Sequence, residues 1–195
     1  SWGAMLVTAY LGRAPEKVSH AVLAEPGFLD KAMFERSGVR LGPRWEAGYL
    51  FFATRRWFES LHIDGRDTQA AQDYFIGEVA ARANPEYYCD GVIPETAIGH
   101  WRAGAVAMRA MFEASRGADG KPVLDFTAGL DRYTRPVLLL ASECNRLIGM
   151  EHQKIQAGFF PASRLRMIPN SGHMMFVEQA EVTLAVLREY LAGSH

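Results

Sequence analysis

Apolar residues in this chain switch between helical and strand spacing, and the switches outline its organisation. From Gly3 to Arg13 most positions are apolar. This predicts a helix buried on most of its circumference, ended by Pro15 just beyond. Val18, Ala21, Val22 and Leu23 then form a short apolar run closed by Glu25-Pro26-Gly27. The run predicts a buried strand with its tip at Glu25. From Phe28 to about Ala118 helical spacing dominates, in Phe28–Ser37, Trp45–His62, Asp67–Ala83 and Thr96–Ser115. Gly42-Pro43, Gly65, Pro85 and Pro94 separate these stretches, which predict an all-helical insertion of roughly 90 residues, the size of a small subdomain. Strand spacing returns in Pro136–Ala141, a continuous apolar run suited to a parallel strand buried on both faces. Gly149–Phe159 reads as a helix, Arg164–Ile168 as a strand, Asn170–His173 as a turn and Glu178–Leu191 as an amphipathic closing helix. Strand and helix alternate outside the insertion, so the expected fold class is α/β with a parallel sheet flanked by helices. The expected divisions are residues 1–27, 28–118 (the insertion) and 119–195.

Composition narrows the function classes. Across 195 residues, 21 Lys and Arg stand against 22 Asp and Glu, a net charge of -1. Such a balance lacks the basic footprint of nucleic-acid or membrane-surface binding, so neither partner is expected. Apolar runs such as Val137–Ala141 are far too short to span a bilayer. Cys89 and Cys144 are too few for a disulfide framework, and their spacing matches no metal motif. A globular protein of the reducing cytoplasm, with no metal or cofactor, is the expectation.

Position picks out the candidate chemistry. His173 lies in a Ser-Gly-His turn directly after a predicted strand, and ligands of open α/β sheets are met at the carboxyl ends of strands. His20, His62, His100 and His152 have no such placement. Ser142-Glu143-Cys144-Asn145 leaves the other late strand, one helix and one strand before His173, so the two strand tips can lie side by side. A base with its orienting acid on adjacent strand ends is the arrangement that activates a serine hydroxyl. Ser1-Trp2-Gly3 supplies the serine, immediately before a helix whose N-terminus, with the Trp2 amide, favours an oxyanion. Gly3 would let that helix pack closely on a strand.

Ser1-Trp2-Gly3 and the following Ala14-Pro15-Glu16-Lys17-Val18-Ser19-His20-Ala21-Val22-Leu23 resemble the second half of the nucleophile elbow of α/β-hydrolases. The resemblance is to the proline iminopeptidase-like branch of serine peptidases, whose elbow reads Gly-x-Ser-Trp-Gly. Pro161–Leu165 and Ser171-Gly172-His173 resemble that family's last strand and catalytic histidine, and the helical insertion stands in place of its cap domain. The resemblance implies the C-terminal portion of an α/β-hydrolase fold. In it Ser1 is the nucleophile, His173 the general base and the Trp2 amide an oxyanion donor. The family's acid position holds Asn145. Three residues are therefore candidates for the acid: Glu143 first, because in an extended segment it shares the face of Asn145, then Asn145 itself, then Glu25 at the tip of the earlier strand.

The cap departs from the family as well. His100-Trp101-Arg102 places a cation where an aminopeptidase of this branch carries a carboxylate that grips the substrate amine. Arg102 favours a carboxylate or neutral group instead, which leaves Glu25 or Glu95 to hold an amine. Tyr49, Phe51, Phe52, Trp57, Phe58, Tyr87 and Tyr88 are expected mainly as cap core, a minority lining an apolar pocket.

A nucleophile elbow follows a strand, so the resemblance also implies that an N-terminal chain of the same hydrolase completes the sheet. Two origins are compatible with a start at Ser1. One is an arbitrary boundary; the favoured one is self-cleavage directly before the nucleophile, through an N-to-O acyl shift, giving two associated chains. The function expected is a serine hydrolase cleaving an amide or ester bond, peptidase- or amidase-like, in a small-molecule or peptide substrate. A non-catalytic binding subunit of the same fold, or an esterase, thioesterase or acyltransferase, are the alternatives.

Overall fold

The computed structural model describes residues 1–37, 46–64, 67–83, 88–91, 104–114, 117, 123 and 125–193. Among them, strands β1 (Ala21–Ala24), β2 (Val137–Ser142) and β3 (Ser163–Ile168) form a parallel sheet in the order β1-β2-β3. Ala21 pairs with Val137 and Ala24 with Leu140, while Val137 pairs with Ser163 and Ser142 with Ile168. The register therefore carries β2 two residues past the end of β1, level with the end of β3. The described helices are α1 (Trp2–Arg13), α2 (Lys31–Ser37), α3 (Ala47–Ser60), α4 (Ala70–Ala83), α5 (Ala105–Ala114), α6 (Met150–Ala157), α7 (Met175–Glu178) and α8 (Ala180–Ala192).

All six positions of β2 are buried, as its unbroken apolar run requires, because the sheet is covered on both faces. Side chains alternate across the sheet with period 2. Val137 and Leu139 join a cluster with Met5 and Leu11 of α1, Leu23, Leu29 and Phe160. Leu138 and Leu140 face the other way, onto Ile168, Met175 and Tyr190 of α7 and α8. The polar tip of Tyr190 reaches the carbonyl of Pro136 at 2.6 Å, which ties the end of α8 to the start of β2.

Two expectations for α1 are corrected. The helix buries one face, through Ala4, Met5, Thr8, Leu11 and Gly12, while Leu6 and Tyr10 remain about half exposed. A Cβ at Gly3 would meet nothing within 4 Å, so packing among the described residues does not require glycine there. The close approach comes at Gly12, where a Cβ would collide with the backbone oxygen of Ala128. The Gly12 carbonyl also accepts a hydrogen bond from Arg132.

The chain divides into two compact units. The first comprises Ser1–Val39, Glu86–Gly91 and Val123–His195; the second comprises Arg40–Pro85 and Val92–Pro122. The boundary read at 27/28 falls inside the first unit, where α2 follows a turn fastened to α6 by Leu29 N–H on Gln156 Oε1 at 2.9 Å. Among the described residues of the second unit, a polar cluster joins α3 and α4. Arg56 pairs with Glu59 and with Glu78 at 3.4 Å, and the Tyr74 hydroxyl donates to Glu59 at 2.8 Å. Asp73 caps α5 by accepting Ala105 N–H at 2.7 Å. Because α3 turns Arg56 and Ser60 inward, Phe51, Trp57 and Phe58 are exposed rather than buried as cap core. Tyr88 is buried, but in the first unit; Tyr87 lies outside the described residues.

Gly12→Ala is expected to destabilise the protein by about 1–3 kcal/mol through backbone overpacking, outweighing the gain of up to ~1 kcal/mol in helix propensity. The midpoint of urea unfolding of the intact protein checks this; an unchanged or higher midpoint would show that the Ala128 loop yields freely.

Candidate active site

The site is assembled at the carboxyl ends of the strands. β1 continues for one hydrogen bond past its last residue, from Glu25 N–H to the carbonyl of Leu140 at 3.0 Å, and then turns. Glu25 takes a φ of 41°, in the left-handed region that a non-glycine residue adopts only under constraint from its surroundings. Its side chain is fully buried. Because β2 outruns β1, Ser142 lies beside this carboxylate. Oε1 accepts the Ser142 backbone N–H at 2.7 Å and the Ser142 hydroxyl at 2.5 Å. Oε2 accepts the Asn145 side-chain amide at 2.8 Å and faces His173 Nδ1 at 2.7 Å. Burial alone would push the Glu25 carboxyl up. The bonds from His173 and Ser142, with the charge of His173, outweigh it and hold the carboxyl below its ordinary value.

Buried polar groups on α6 fix the turn that follows Glu25. Gln153 and Gln156 both donate to the carbonyl of Pro26, at 3.0 and 2.8 Å. His152 Nε2 lies 2.6 Å from the carbonyl of Gly27 and so carries the proton there. Burial pushes the His152 imidazole down, against the pull of that carbonyl, which keeps it neutral. The loop from β2 into α6 is closed by Asn145, whose Oδ1 accepts Leu147 and Ile148 N–H at 3.0 and 3.1 Å. Gly149 is obligatory in that loop, since a Cβ would collide with the carbonyl oxygen of Asn145.

The turn bearing His173 is held from several sides. Cys144 N–H donates to Ser171 at 2.9 Å, and the Glu143 carboxylate accepts Asn170 N–H at 2.8 Å. Glu178 joins Gly172 N–H and Cys89 N–H, each at 2.7 Å, through its two carboxylate oxygens. Cys89, on the segment of the first unit between the two parts of the second, forms a disulfide with Cys144, with their Cα atoms 4.9 Å apart. The cysteines that sequence assigned to no bridge are thus joined.

Ser1 is the N-cap of α1, and its backbone nitrogen donates to the carbonyl of Ala24 at 2.6 Å, next to Glu25. Its carbonyl accepts Ala4 and Met5 N–H, which leaves the Trp2 and Gly3 amides at the open end of the helix. The Trp2 ring packs edge-on against Phe126 at 5.7 Å. The Ser1 hydroxyl makes no hydrogen bond to His173 among the described residues.

A family model described as the alpha/beta hydrolase family matches residues 1–186. The chain belongs to the α/β hydrolase family. Solved structures share the fold. A proline iminopeptidase from Mycobacterium smegmatis is 17% identical, with 99% of this chain and 63% of that one covered and a TM-score of 0.55. For a haloalkane dehalogenase variant, DbeA-M1, from Bradyrhizobium elkanii, the figures are 17%, 99%, 65% and 0.59. For a probable hydrolytic enzyme from Pseudomonas aeruginosa PAO1 they are 20%, 98%, 61% and 0.59. This α/β hydrolase chain spans less than two thirds of the length of these structures. No curated protein matches it.

The geometry sorts the three acids named from sequence. Glu143, placed first, does not reach His173: its carboxylate is exposed and engages the backbone of Asn170. The period-2 argument fails because β2 ends at Ser142, so Glu143 and Asn145 lie in a turn and share no face. Asn145 approaches His173 Nδ1 only at 3.4 Å. Glu25, placed last, makes the short contact, and that same carboxylate is occupied by Ser142 and Asn145 rather than open to a substrate amine. Trp101, Arg102 and Glu95 lie outside the described residues. Sequence reasoning missed the supporting roles of Ser142, Gln153 and Gln156. The one signal for them is the density of amide and hydroxyl side chains flanking β2 and on α6.

Glu25→Gln is expected to lower the stability of the intact hydrolase at neutral pH by about 1–3 kcal/mol, because donors aimed at a carboxylate meet an amide. A carboxyl held below its ordinary 4.5 contributes stability that is complete above that pH and lost as pH falls through the folded value. The gap between wild type and variant should therefore narrow below about pH 4.5. Urea unfolding at pH 7, 4 and 3 measures it, and a gap constant with pH would contradict the expectation.

Proposed function

We propose that this chain carries the nucleophile, base and acid of a serine hydrolase acting on an amide or ester bond, with Ser1, His173 and Glu25 in those roles. The observation that carries the reading is the 2.7 Å contact between His173 Nδ1 and a fully buried carboxylate. In that pairing Glu25 accepts a hydrogen bond from His173 Nδ1–H, which leaves the other ring nitrogen, Nε2, to act as base. Ser1 Oγ attacks the substrate carbonyl carbon while its proton passes to His173 Nε2. The carbonyl oxygen becomes an oxyanion, met by the Trp2 amide at the open N-terminus of α1. Collapse breaks the bond to the leaving amine or alcohol, which takes the proton from His173. Water then repeats the sequence on the acyl-enzyme and restores Ser1. Glu25 remains ionised throughout and stabilises the imidazolium.

The finer reading, peptidase- or amidase-like, rests on the Ser-Trp-Gly elbow sequence. Turnover of aminoacyl arylamides compared with p-nitrophenyl esters by the intact protein distinguishes it from an esterase. A fluorophosphonate probe is expected to label Ser1 in the wild type and to leave Ser1→Ala unlabelled. His173→Ala and Glu25→Gln should lower kcat by roughly 10³–10⁴-fold or more. An intact protein that is neither labelled nor active on either substrate class would replace this reading with that of a non-catalytic binding subunit.

A further inference from the structure

The bonds that hold the His173 turn close into a circuit through the disulfide. From Cys89 the circuit runs by its backbone N–H to one carboxylate oxygen of Glu178, at 2.7 Å, and from the other oxygen to Gly172 N–H, also at 2.7 Å. Gly172 is bonded to Ser171, whose carbonyl accepts Cys144 N–H at 2.9 Å. The Cys89–Cys144 disulfide returns the circuit to its start. His173 follows Gly172 directly, so these links fix the backbone from which the imidazole reaches Glu25 Oε2. Apart from the backbone, the disulfide is the covalent link of the circuit; the others are hydrogen bonds.

The same disulfide reaches the acid. Cys144 lies between Ser142 and Asn145, which both donate to Glu25. A shift of Cys144 is therefore passed to the support of the base and to the donors of the acid together. The bond is also open to attack. Thiol–disulfide exchange needs access of a thiolate to one sulfur, and Cys89 is exposed while Cys144 is half-buried. The surrounding structure does not depend on the bond. Tyr88 is buried beside Cys89, and the sheet is packed by apolar clusters that contain neither cysteine. Breaking the disulfide thus loosens the circuit and leaves the core in place.

We propose that Cys89–Cys144 is a site of thiol–disulfide exchange with dithiol reductants, and that it acts as a redox clamp: the disulfide form holds the His173 turn against Glu25, and the dithiol form lets the turn open. One thiolate of the reductant attacks Cys89 Sγ, the bond between the two sulfurs breaks, and Cys144 leaves as a thiolate that takes up a proton. The second thiolate of the reductant then attacks the reductant sulfur of the mixed disulfide and releases Cys89. Two electrons and two protons pass from the dithiol to the protein, and the reductant departs as a cyclic disulfide. A small-molecule disulfide reverses the exchange. The effect on activity rests on the hydrolase reading of Ser1, His173 and Glu25; the effect on the turn rests on the circuit alone.

The test follows the intact wild type in oxidising buffer, after dithiothreitol, and after reoxidation with oxidised glutathione, beside C89S/C144S. The sequence holds two cysteines, so no other thiol answers the reagents. Both thiols should titrate in the folded protein after dithiothreitol. Hydrogen exchange of the Gly172 amide should then quicken at least about tenfold and slow again on reoxidation. On the better of the arylamide and ester substrates, kcat should fall by about ten- to a hundredfold with KM changing less, since a small misplacement of a reacting group costs that much. C89S/C144S should stay at the reduced level and ignore dithiothreitol. A disulfide that dithiothreitol cannot reduce in the folded protein would overturn the proposal. So would reduction that leaves Gly172 exchange unchanged, or that quickens exchange and leaves kcat as it was. These measurements need only the wild type, so they decide the matter even if C89S/C144S does not fold. An inactive, unlabelled wild type whose Gly172 exchange still answers dithiothreitol would remove the hydrolase reading and leave the clamp standing.

Discussion

A buried carboxylate is tolerable only when its charge is fully engaged, and the carboxyl end of this sheet is organised around that requirement. Moving an ion of this kind out of water costs several kcal/mol even after relaxation. Glu25 recovers it from the Ser142 amide and hydroxyl, the Asn145 amide and His173. Each donor comes with its own demand on the chain. Ser142 must outrun β1, which the β1–β2 register provides. Asn145 must be turned by two backbone amides, which Gly149 permits by letting the chain pass close to the Asn145 carbonyl. His173 must come round from β3 on a turn clamped by Glu143, Cys144 and Glu178.

The same requirement explains the unusual character of α6. Its sequence, Met-Glu-His-Gln-Lys-Ile-Gln-Ala, has the polarity of a surface helix, yet His152, Gln153 and Gln156 are buried. They receive the carbonyls of Pro26 and Gly27, which a left-handed turn at Glu25 leaves without sheet partners. Backbone strain at an acid is thereby held by a helix face that contributes hydrogen bonds instead of apolar area. Met5, Leu11 and Leu29, packed with Leu23 and Leu139, supply that area on the same side of the sheet.

Much of this was legible in the chain before its structure. β2 reads correctly because a continuous apolar run of its length fits a doubly covered strand, and its neighbours follow from turn residues at their ends. The turn that carries His173 lies after β3 where it was read, because Ser-Gly-His after a strand is a local signal. The carboxylate that meets His173 was placed last among three, after Glu143 and Asn145. Choosing among Glu25, Glu143 and Asn145 depends on where β2 stops pairing and on a register between strands more than 100 residues apart, and neither has a local signature. The α1 surface was misjudged for a related reason, since apolar residues around a helix do not say which of them find partners. The aromatic residues of α3 illustrate the converse: Phe51, Trp57 and Phe58 look like core, but a half-buried Arg56 with its two carboxylates takes the inner face.

The Cys89–Cys144 bond makes residues 89 to 144 a covalent ring with β2 inside it. The two excursions of the second unit differ in their relation to that ring: Val92–Pro122 belongs to it and Arg40–Pro85 does not. A backbone break in Val92–Pro122 opens the ring but leaves one molecule, with Glu25 and His173 still joined through sulfur. A break in Arg40–Pro85 puts those two residues on separate molecules, held by the sheet and other noncovalent contacts with no covalent link. Identical damage thus has unequal consequences on the two sides of Cys89, and reducing agent erases the difference.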